Sequence, residues 1–436
     1  MKPAAFMLVL LAALFGGACS KCGNPQPAKG NGAQRYGKLP GLKHTTCGDL
    51  LDEADRIAEE GGMPEQLGQS EIPATDNVAA GLKGLFPAKK LETILGESEK
   101  IFPPKAFVFN PLQLEKAIRF SKKYDAQHRQ IRDALRRPQC DFDIDHEAGF
   151  AADLSFVDVA RIAARLEAFA VAEALAGDDP AGAVEPLSHL LRLATCLDGE
   201  KHPTVRLEAA FVRAEGLNVL QSIVEHPKIV RAHLQQLHKI IEGQLTAWPD
   251  DADAWIGDRA LGMHAYEVVR AGEILSLLNE EEVEQFRQEG SLEQLPAAAR
   301  RTADQDEFYY LETMRKIIES CDRPYYMRVA LFENIRNDLQ KRRDSADFPL
   351  VAGRLLLPDI EQGHAIQARD RANCEAWALA LARGAGCGPP PYEVNPLTGK
   401  KYRLIEEEGR IEVRNVGTGR RGDDPPVVVP DLAGEK

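Results

Sequence analysis

The sequence has few aromatic residues, no excess of positive charge and no apolar run long enough to span a bilayer. Aromatic residues make up 6% of the 436 positions, and alanine and leucine dominate instead, which favours helices over β-sandwiches. Lysine and arginine number 54 against 67 aspartate and glutamate residues, so the net charge is −13. An acidic chain without a basic stripe argues against nucleic acid as a partner. The apolar run from Ala4 to Phe15 is shorter than a membrane-spanning helix requires.

The first 19 residues have the anatomy of an export signal. A positive charge at Lys2 precedes the apolar run, and the small residues Gly16-Gly17-Ala18 precede Cys19. This stretch resembles the lipobox of bacterial lipoproteins, in which the cysteine is acylated and becomes the new N-terminus. The resemblance implies cleavage between Ala18 and Cys19 and anchoring in the lipid bilayer through the acylated Cys19. The alternative is an ordinary secretory signal, residues 1–18, with Cys19 incidental.

The residues after the signal predict how the mature protein is held. Ser20 follows the cysteine, which favours the outer over the inner membrane, so we expect a lipid anchor facing the periplasm or at the cell surface. Residues 19–45 are rich in Gly, Pro, Asn, Gln and Lys and predict a flexible tether. Loss of residues 1–18 removes Lys2 and brings the net charge to −14.

Eight cysteines are present, and seven remain if Cys19 is acylated. In an oxidising compartment disulfides are expected, but sequence alone leaves their pairing open. Cys374 and Cys387 flank the end of one predicted helix and are the first pair we expect. The only CxxC spacing, Cys19 to Cys22, falls in the lipobox and does not indicate a zinc site.

The spacing of apolar residues predicts a mainly α fold, an irregular array of antiparallel helices. An N-terminal helical region is expected over 46–137, with a helix over 46–61 and a long helix that Asn110 caps and Pro138 ends. The array itself is expected over 138–384. Its predicted helices are 154–176, 180–197, 203–225, 228–247, 250–278, 303–320, 324–343 and 358–383.

The junction from Ala172 to Ala183 resembles the inter-helix corner of tetratricopeptide repeats, where small residues let two antiparallel helices pack closely. Only this corner matches, and no 34-residue period repeats along the chain. We therefore expect an irregular array and not a true repeat domain.

Residues 385–436 predict a β-hairpin segment with a tail, with strands at 401–405, 411–416 and 427–429. The run from Asn395 to Tyr402, NPLTGKKY, resembles the C-terminal β-segment of type II secretion major pseudopilins, in which a later acidic loop binds calcium. This resemblance makes Asp423 and Asp424 the candidate metal ligands. Arg420 and Arg421 stand in the same loop and disfavour calcium, so we predict neither a metal nor a cofactor.

The most polar predicted helix carries the first candidate for a catalytic residue, Glu267. The interpretation that we favour is structural: a hydrogen-bonded strut between helices, with an exposed ion pair between Glu267 and Arg270. The pattern GTGRRG, from Gly417, precedes the chain end by too few residues for a dinucleotide-binding unit and predicts a turn.

Together these features favour a membrane-anchored envelope lipoprotein that serves as a non-catalytic binding or scaffold protein for an envelope protein partner. The alternative is a cell-wall-active hydrolase or lyase that uses a helix-borne glutamate, with Glu267 as the first candidate.

Overall fold

A computed structural model of the chain describes residues 45, 47–68, 72–103, 107–345, 348–417 and 425–434. Ala18 and Cys19, the tether up to residue 44, and Asp423 and Asp424 lie outside these residues. Helices make up 67% of the structure, and a small three-stranded antiparallel sheet lies near the C-terminus. The predicted mainly α fold with a small β module is confirmed.

Fifteen α-helices, numbered in chain order, form the body within the described residues. They are α1 Gly48–Glu59, α2 Pro64–Leu67, α3 Val78–Leu82, α4 Leu91–Glu99, α5 Pro111–Lys123, α6 Asp125–Leu135, α7 Ser155–Ala176, α8 Val184–Asp198, α9 Pro203–Val224, α10 Arg231–Thr246, α11 Asp251–Arg270, α12 Glu280–Gln288, α13 Leu295–Glu319, α14 Tyr325–Arg342 and α15 Ile360–Gly384. The strands are β1 Arg403–Glu407, β2 Arg410–Arg414 and β3 Val427–Pro430, in the sheet order β1-β2-β3.

The long helix expected after Asn110 is divided at Tyr124 into α5 and α6. Asn110 caps α5 as predicted, because its side chain accepts a hydrogen bond from the backbone N–H of Gln113 at 2.9 Å. Tyr124 leaves the helical conformation, with φ −114° and ψ 22°. Its ring packs against Phe120 with the centroids 4.8 Å apart. The apolar spacing along the sequence does not mark this break.

Three further helix boundaries differ from the prediction by four residues or more. The helix expected from 180 begins at Val184, after a turn over 180–183. The helix expected over 250–278 ends at Arg270, because Gly272 adopts a left-handed conformation with φ +83°. The helix expected from 303 begins at Leu295, with Pro296 in its first turn, where a missing backbone N–H costs nothing.

The core consists of two clusters of buried apolar side chains. The first lies among α3 to α10, the C-terminal half of α15 and the sheet. The second lies among α1, α11, α13, α14 and the π-helical turn Ala352–Leu356. Helix α15 reaches both, since Ile360 belongs to the second cluster and Trp377 to the first. None of the described helices combines the length and apolar character needed to cross a membrane.

The β module is held against α15 by polar contacts as well as apolar ones. Asn395 is fully buried; its side chain accepts a hydrogen bond from the Leu397 N–H at 2.7 Å and donates one to the Val416 carbonyl at 2.6 Å. The Tyr402 hydroxyl donates to Glu375 of α15 at 3.0 Å. The turn at Asn395 therefore positions the hairpin on the helix.

The expected Cys374–Cys387 disulfide is ruled out by the helix that separates the two residues. Cys374 lies inside α15, and the backbone N–H of Cys387 bonds to the carbonyl of Ala382. Eight helical residues from Cys374 to Ala382 rise about 12 Å. A disulfide requires Cα atoms within about 7 Å, so this pairing was wrong.

Candidate functional site

Glu267 lies near the end of α11, one turn before Arg270. The Glu267 Oε1 atom is 3.1 Å from an Arg270 guanidinium nitrogen, so the predicted ion pair is present. The pair was expected to be exposed, but the two side chains are only 13% and 17% exposed. The expectation failed because α13 packs against α11 and covers this pair with Asp304 and Glu307.

Helix α13 brings two more carboxylates to the same guanidinium. Arg270 donates to Asp304 at 2.7 Å and to Glu307 at 2.5 Å. Asp304 also accepts a hydrogen bond from the hydroxyl of Thr45, at the start of the described chain. Three carboxylates thus share one positive charge. Sequence reasoning missed Asp304 and Glu307, although their i,i+3 spacing on one helical face was a usable signal.

The environment moves the pKa values of these two carboxyl groups in opposite directions. Burial raises the pKa of Glu307 to about 8, because Arg270 offsets the desolvation only in part. Burial also favours a higher pKa for Asp304, but hydrogen bonds from Thr45 and Arg270 outweigh this effect. The pKa of Asp304 is therefore lowered. Glu307 is 1% exposed and Asp304 is 35% exposed. An acid and a base with separated pKa values are the elements of general acid–base chemistry.

The same helix pair contains the hydrogen-bonded strut that the sequence predicted. The Tyr266 hydroxyl donates to Asp306 at 2.6 Å, and Asp306 also accepts from the backbone N–H groups of Val351 and Ala352. Tyr310 of α13 donates to the backbone carbonyl of Asp258 at 3.0 Å. These bonds tie α11, α13 and the π-helical turn together.

A chain of alternating buried charges joins the helices around α9. Near one end of this chain Arg213, 1% exposed, pairs with Asp198 of α8 at 2.5 Å and with Asp370 of α15. Burial raises the pKa of Asp370 to about 7, although Arg213 counteracts it. The chain continues through contacts of 2.7–3.9 Å from α8 to α15. Its members in order are Asp370, Arg213, Asp198, Arg206, Asp251, Arg328 and His364.

A second buried cluster surrounds Glu167 of α7, which is fully buried. Its carboxylate lies 2.9 Å from Arg132, 3.0 Å from His128 and 3.4 Å from His189. Burial alone would raise the pKa of Glu167, but these three partners outweigh it and lower the pKa to about 2. The cluster links α6, α7 and α8.

A groove open to solvent lies between α4 and α5. Its volume is about 330 Å³. Ile101 and Phe120 are buried apolar residues of its wall. Its charged lining comprises Glu97, Lys100, Lys116, Arg119 and Lys123.

The groove gathers positive charge that is scattered in the sequence. Four of its five charged lining residues are cations, on a chain with a net charge of −13. Lys123 pairs with Glu97 at 2.8 Å, and Arg119 pairs with Glu115. Leu112 lies one turn before Lys116 on α5 and is 60% exposed. Sequence analysis missed this cationic face, although Lys116, Arg119 and Lys123 are spaced by three and four residues on α5. Lys100 joins them only through tertiary packing.

Within the part of the chain that the structure describes, no three His, Cys, Asp or Glu side chains are placed to hold a metal ion together. The candidate ligands Asp423 and Asp424, and the lipidation site Ala18-Cys19, lie outside the described residues. No protein-family model matches the chain, and comparison with curated proteins and with solved structures gave no significant match.

Proposed function

We propose that the protein is a lipid-anchored component of the bacterial cell envelope that binds or positions a protein partner without catalysis. The observation that carries the proposal is the sequence from Lys2 to Cys19, a charged start, an apolar run and small residues before a cysteine. Acylation supplies two or three chains, and each buried CH₂ contributes about 0.8 kcal/mol, so anchoring of this kind is stable.

The folded body suits a scaffold because most of its buried charges are engaged with one another. Arg213 and Arg270 each contact two carboxylates on other helices, and Glu167 contacts Arg132 and His128 of α6. Such networks fix the relative positions of helices. A fixed helical array on a polar tether can present one face to a partner at a distance from the lipid surface.

The groove between α4 and α5 is the surface that we assign to the partner. Its cationic rim and its apolar wall of Ile101 and Phe120 are complementary to an acidic segment that carries an apolar side chain. We therefore infer an envelope protein with an acidic docking segment. An anionic membrane surface is the alternative occupant.

Crosslinking in intact cells tests this assignment. The full chain and a Lys100→Glu/Lys116→Glu variant are crosslinked, solubilised gently and purified from membranes. Charge reversal in the groove should reduce recovery of a stoichiometric partner at least about fivefold. A Lys239→Glu/Lys341→Glu variant changes the net charge equally at exposed positions outside the groove and should leave recovery unchanged. Equal recovery from all three proteins, or no partner at all, would contradict the assignment.

A hydrolase or lyase acting on the cell wall is the second candidate. The specific observation in its favour is that Glu267, Asp304 and Glu307 meet at Arg270, with the pKa values of Asp304 and Glu307 shifted apart. Arg270 neutralises part of the negative charge of these three carboxylates, and Glu307 is almost inaccessible to a substrate. We therefore rank the hydrolase or lyase as the second candidate.

Release of soluble fragments from isolated cell wall distinguishes the two candidates. If the enzyme assignment holds, purified protein releases fragments and Glu267→Gln abolishes the release. Glu280→Gln, an exposed position at the start of α12, is the matched control. No release from the unaltered protein would remove this candidate.

A further inference from the structure

The segment from Arg137 to Phe142 runs along one face of α8 and is fixed to it at both ends. Arg192 donates to the carbonyl of Pro138 at 2.8 Å. The backbone N–H of Phe142 donates to the Glu200 carboxylate at 2.8 Å. Residues 192, 196 and 200 are spaced by four, so they lie on one side of the helix and its continuation. Residue 196, between the two contacts, therefore faces the middle of the segment.

At that middle position Cys140 meets Cys196, and their thiols share a hydrogen bond. Cys196 is buried in the first apolar cluster, and Cys140 is half-buried against the same cluster. Both cysteines are reduced in the structure. Cys140 is the more exposed of the two residues.

The backbone on either side of Cys140 is held independently by the start of α3. Val78 N–H donates to the carbonyl of Gln139 at 2.8 Å. The Asn77 side chain donates to the carbonyl of Asp141 at 2.8 Å and accepts from its N–H at 3.1 Å. The approach of the two thiols is thus set by five hydrogen bonds that do not involve sulfur.

We infer that Cys140 and Cys196 form a disulfide bond when the folded chain meets an oxidant of the thiol–disulfide oxidoreductase class. The two thiols lose two protons and two electrons, one S–S bond forms, and the disulfide of the oxidant is reduced to a dithiol. The inference rests on the proposed function for its setting, since disulfide bonds form and persist in the oxidising compartments that exported chains reach. It names the pairing that the sequence left open.

Reactivity at this pair is favoured by the surroundings of Cys196. The hydrogen bond with Cys140 and the nearby Arg192 lower the pKa of the Cys196 thiol against the opposing effect of burial. The thiolate is the form that attacks a disulfide. The same hydrogen bond raises the pKa of Cys140. Cys196 therefore supplies the thiolate that closes the bond, by attacking the sulfur of Cys140 once Cys140, the more exposed residue of the two, carries the mixed disulfide.

The bond would close a loop of about 57 residues. It would also attach the four helices α3, α4, α5 and α6 to the rest of the helical array through α8. Loops of this size are those for which a cross-link restricts the unfolded chain strongly. Reduction should therefore lower the unfolding temperature of the whole chain by about 5 °C.

The test uses the full chain, purified in detergent, reduced and then incubated with oxidised glutathione before alkylation and peptide mapping. The expected product is a Cys140–Cys196 cross-linked peptide pair in most molecules, together with the fall in unfolding temperature on reduction. In the Cys140→Ala and Cys196→Ala variants, the reductant should no longer lower the unfolding temperature. Cys321→Ala, which alters a buried cysteine of the second cluster, should retain it.

Alkylated Cys140 and Cys196 after oxidation, or either residue joined mainly to a different cysteine, would overturn the inference. Peptide mapping of the unaltered chain decides this even if a variant fails to fold. A parallel sample alkylated inside intact cells separates the two proposals. If the purified chain forms the bond but the cellular protein keeps both thiols, the pairing stands and the envelope location fails.

Discussion

Two buried glutamates experience opposite electrostatic environments, and each makes stability depend on pH in its own direction. Glu307 shares Arg270 with two other carboxylates, so burial dominates and its pKa rises to about 8. Glu167 faces Arg132 and two histidines, so its partners dominate and its pKa falls to about 2. The number of cations per carboxylate decides the sign of the shift.

Replacing Glu307 with Gln should stabilise the protein at high pH and matter little at low pH. The folded-state pKa of about 8 lies above the ordinary value of 4.5, so Glu307 costs stability as pH rises from about 4.5 to about 8. Gln mimics the protonated acid, and we expect a gain of about 2 kcal/mol at pH 8.

Thermal unfolding across this pH range measures the effect of Glu307→Gln. The exposed Glu280→Gln is the control for the loss of one carboxylate from the surface. A Glu307→Gln effect that does not vary with pH would contradict the raised pKa of Glu307.

Replacing Glu167 with Gln should have the opposite dependence on pH. The folded-state pKa of about 2 lies below the ordinary 4.5, so Glu167 contributes stability above pH 4.5 that is lost as pH falls towards 2. We expect Glu167→Gln to cost about 3 kcal/mol at pH 7 and much less near pH 2. Denaturant unfolding at the two pH values measures this difference, and an equal cost at both would contradict it.

At the scale of elements, buried charges connect helices that belong to different apolar clusters. Arg213 contacts α8 and α15, and its guanidinium lies 4.6 Å from the ring centroid of Trp248 beside the first cluster. At the other end of the chain of charges, the His364 ring lies 4.9 Å from Phe332 of the second cluster. The two clusters are therefore joined by ion pairs as well as by the continuous helix α15.

Arg213→Met should destabilise the protein by about 3–5 kcal/mol, because it leaves Asp198 and Asp370 buried without their common partner. The free energy of unfolding in denaturant measures the loss. Arg336→Met is the matched control: Arg336 pairs with Glu361 at a similar distance of 2.7 Å, but its side chain is 62% exposed. Arg336→Met should lower the free energy of unfolding by no more than about 1 kcal/mol. Equal losses of stability in the two variants would show that burial does not make the Arg213 ion pairs more important than the exposed one.

The sequence predicted the elements better than their ends. Ser155–Ala176 and Pro203–Val224 agree closely with the expected 154–176 and 203–225, because local apolar periodicity and first-turn signals determine them. The break at Tyr124 depends on ring packing between helices, which local patterns do not encode. The early start of α13 was missed although Pro296 marked it.

At the scale of the whole molecule, sequence reasoning could name Glu267 but not its neighbours. Asp304 and Glu307 meet it only because α13 packs against α11 in one register. The same holds for the α4–α5 groove and for the Cys140–Cys196 contact, which join residues far apart in the chain. Contacts of this kind follow from tertiary packing, so an analysis of local pattern cannot supply them.

The proposed role of the whole molecule depends on how its N-terminus is processed. An acidic helical body joined by a tether to an acylated cysteine would remain with the membrane fraction, although no described helix can span a bilayer. The groove, the tether and an oxidising environment acquire their proposed roles only if Cys19 is the first residue of the mature chain.

Mass spectrometry of the N-terminal peptide, isolated from the membrane-bound protein, tests this claim most directly. We predict a peptide that begins at Cys19, carries a diacylglycerol on its sulfur and lacks residues 1–18. A peptide that still contains residues 1–18, or one that begins with a free amino group and carries no acyl chain, would contradict lipid anchoring.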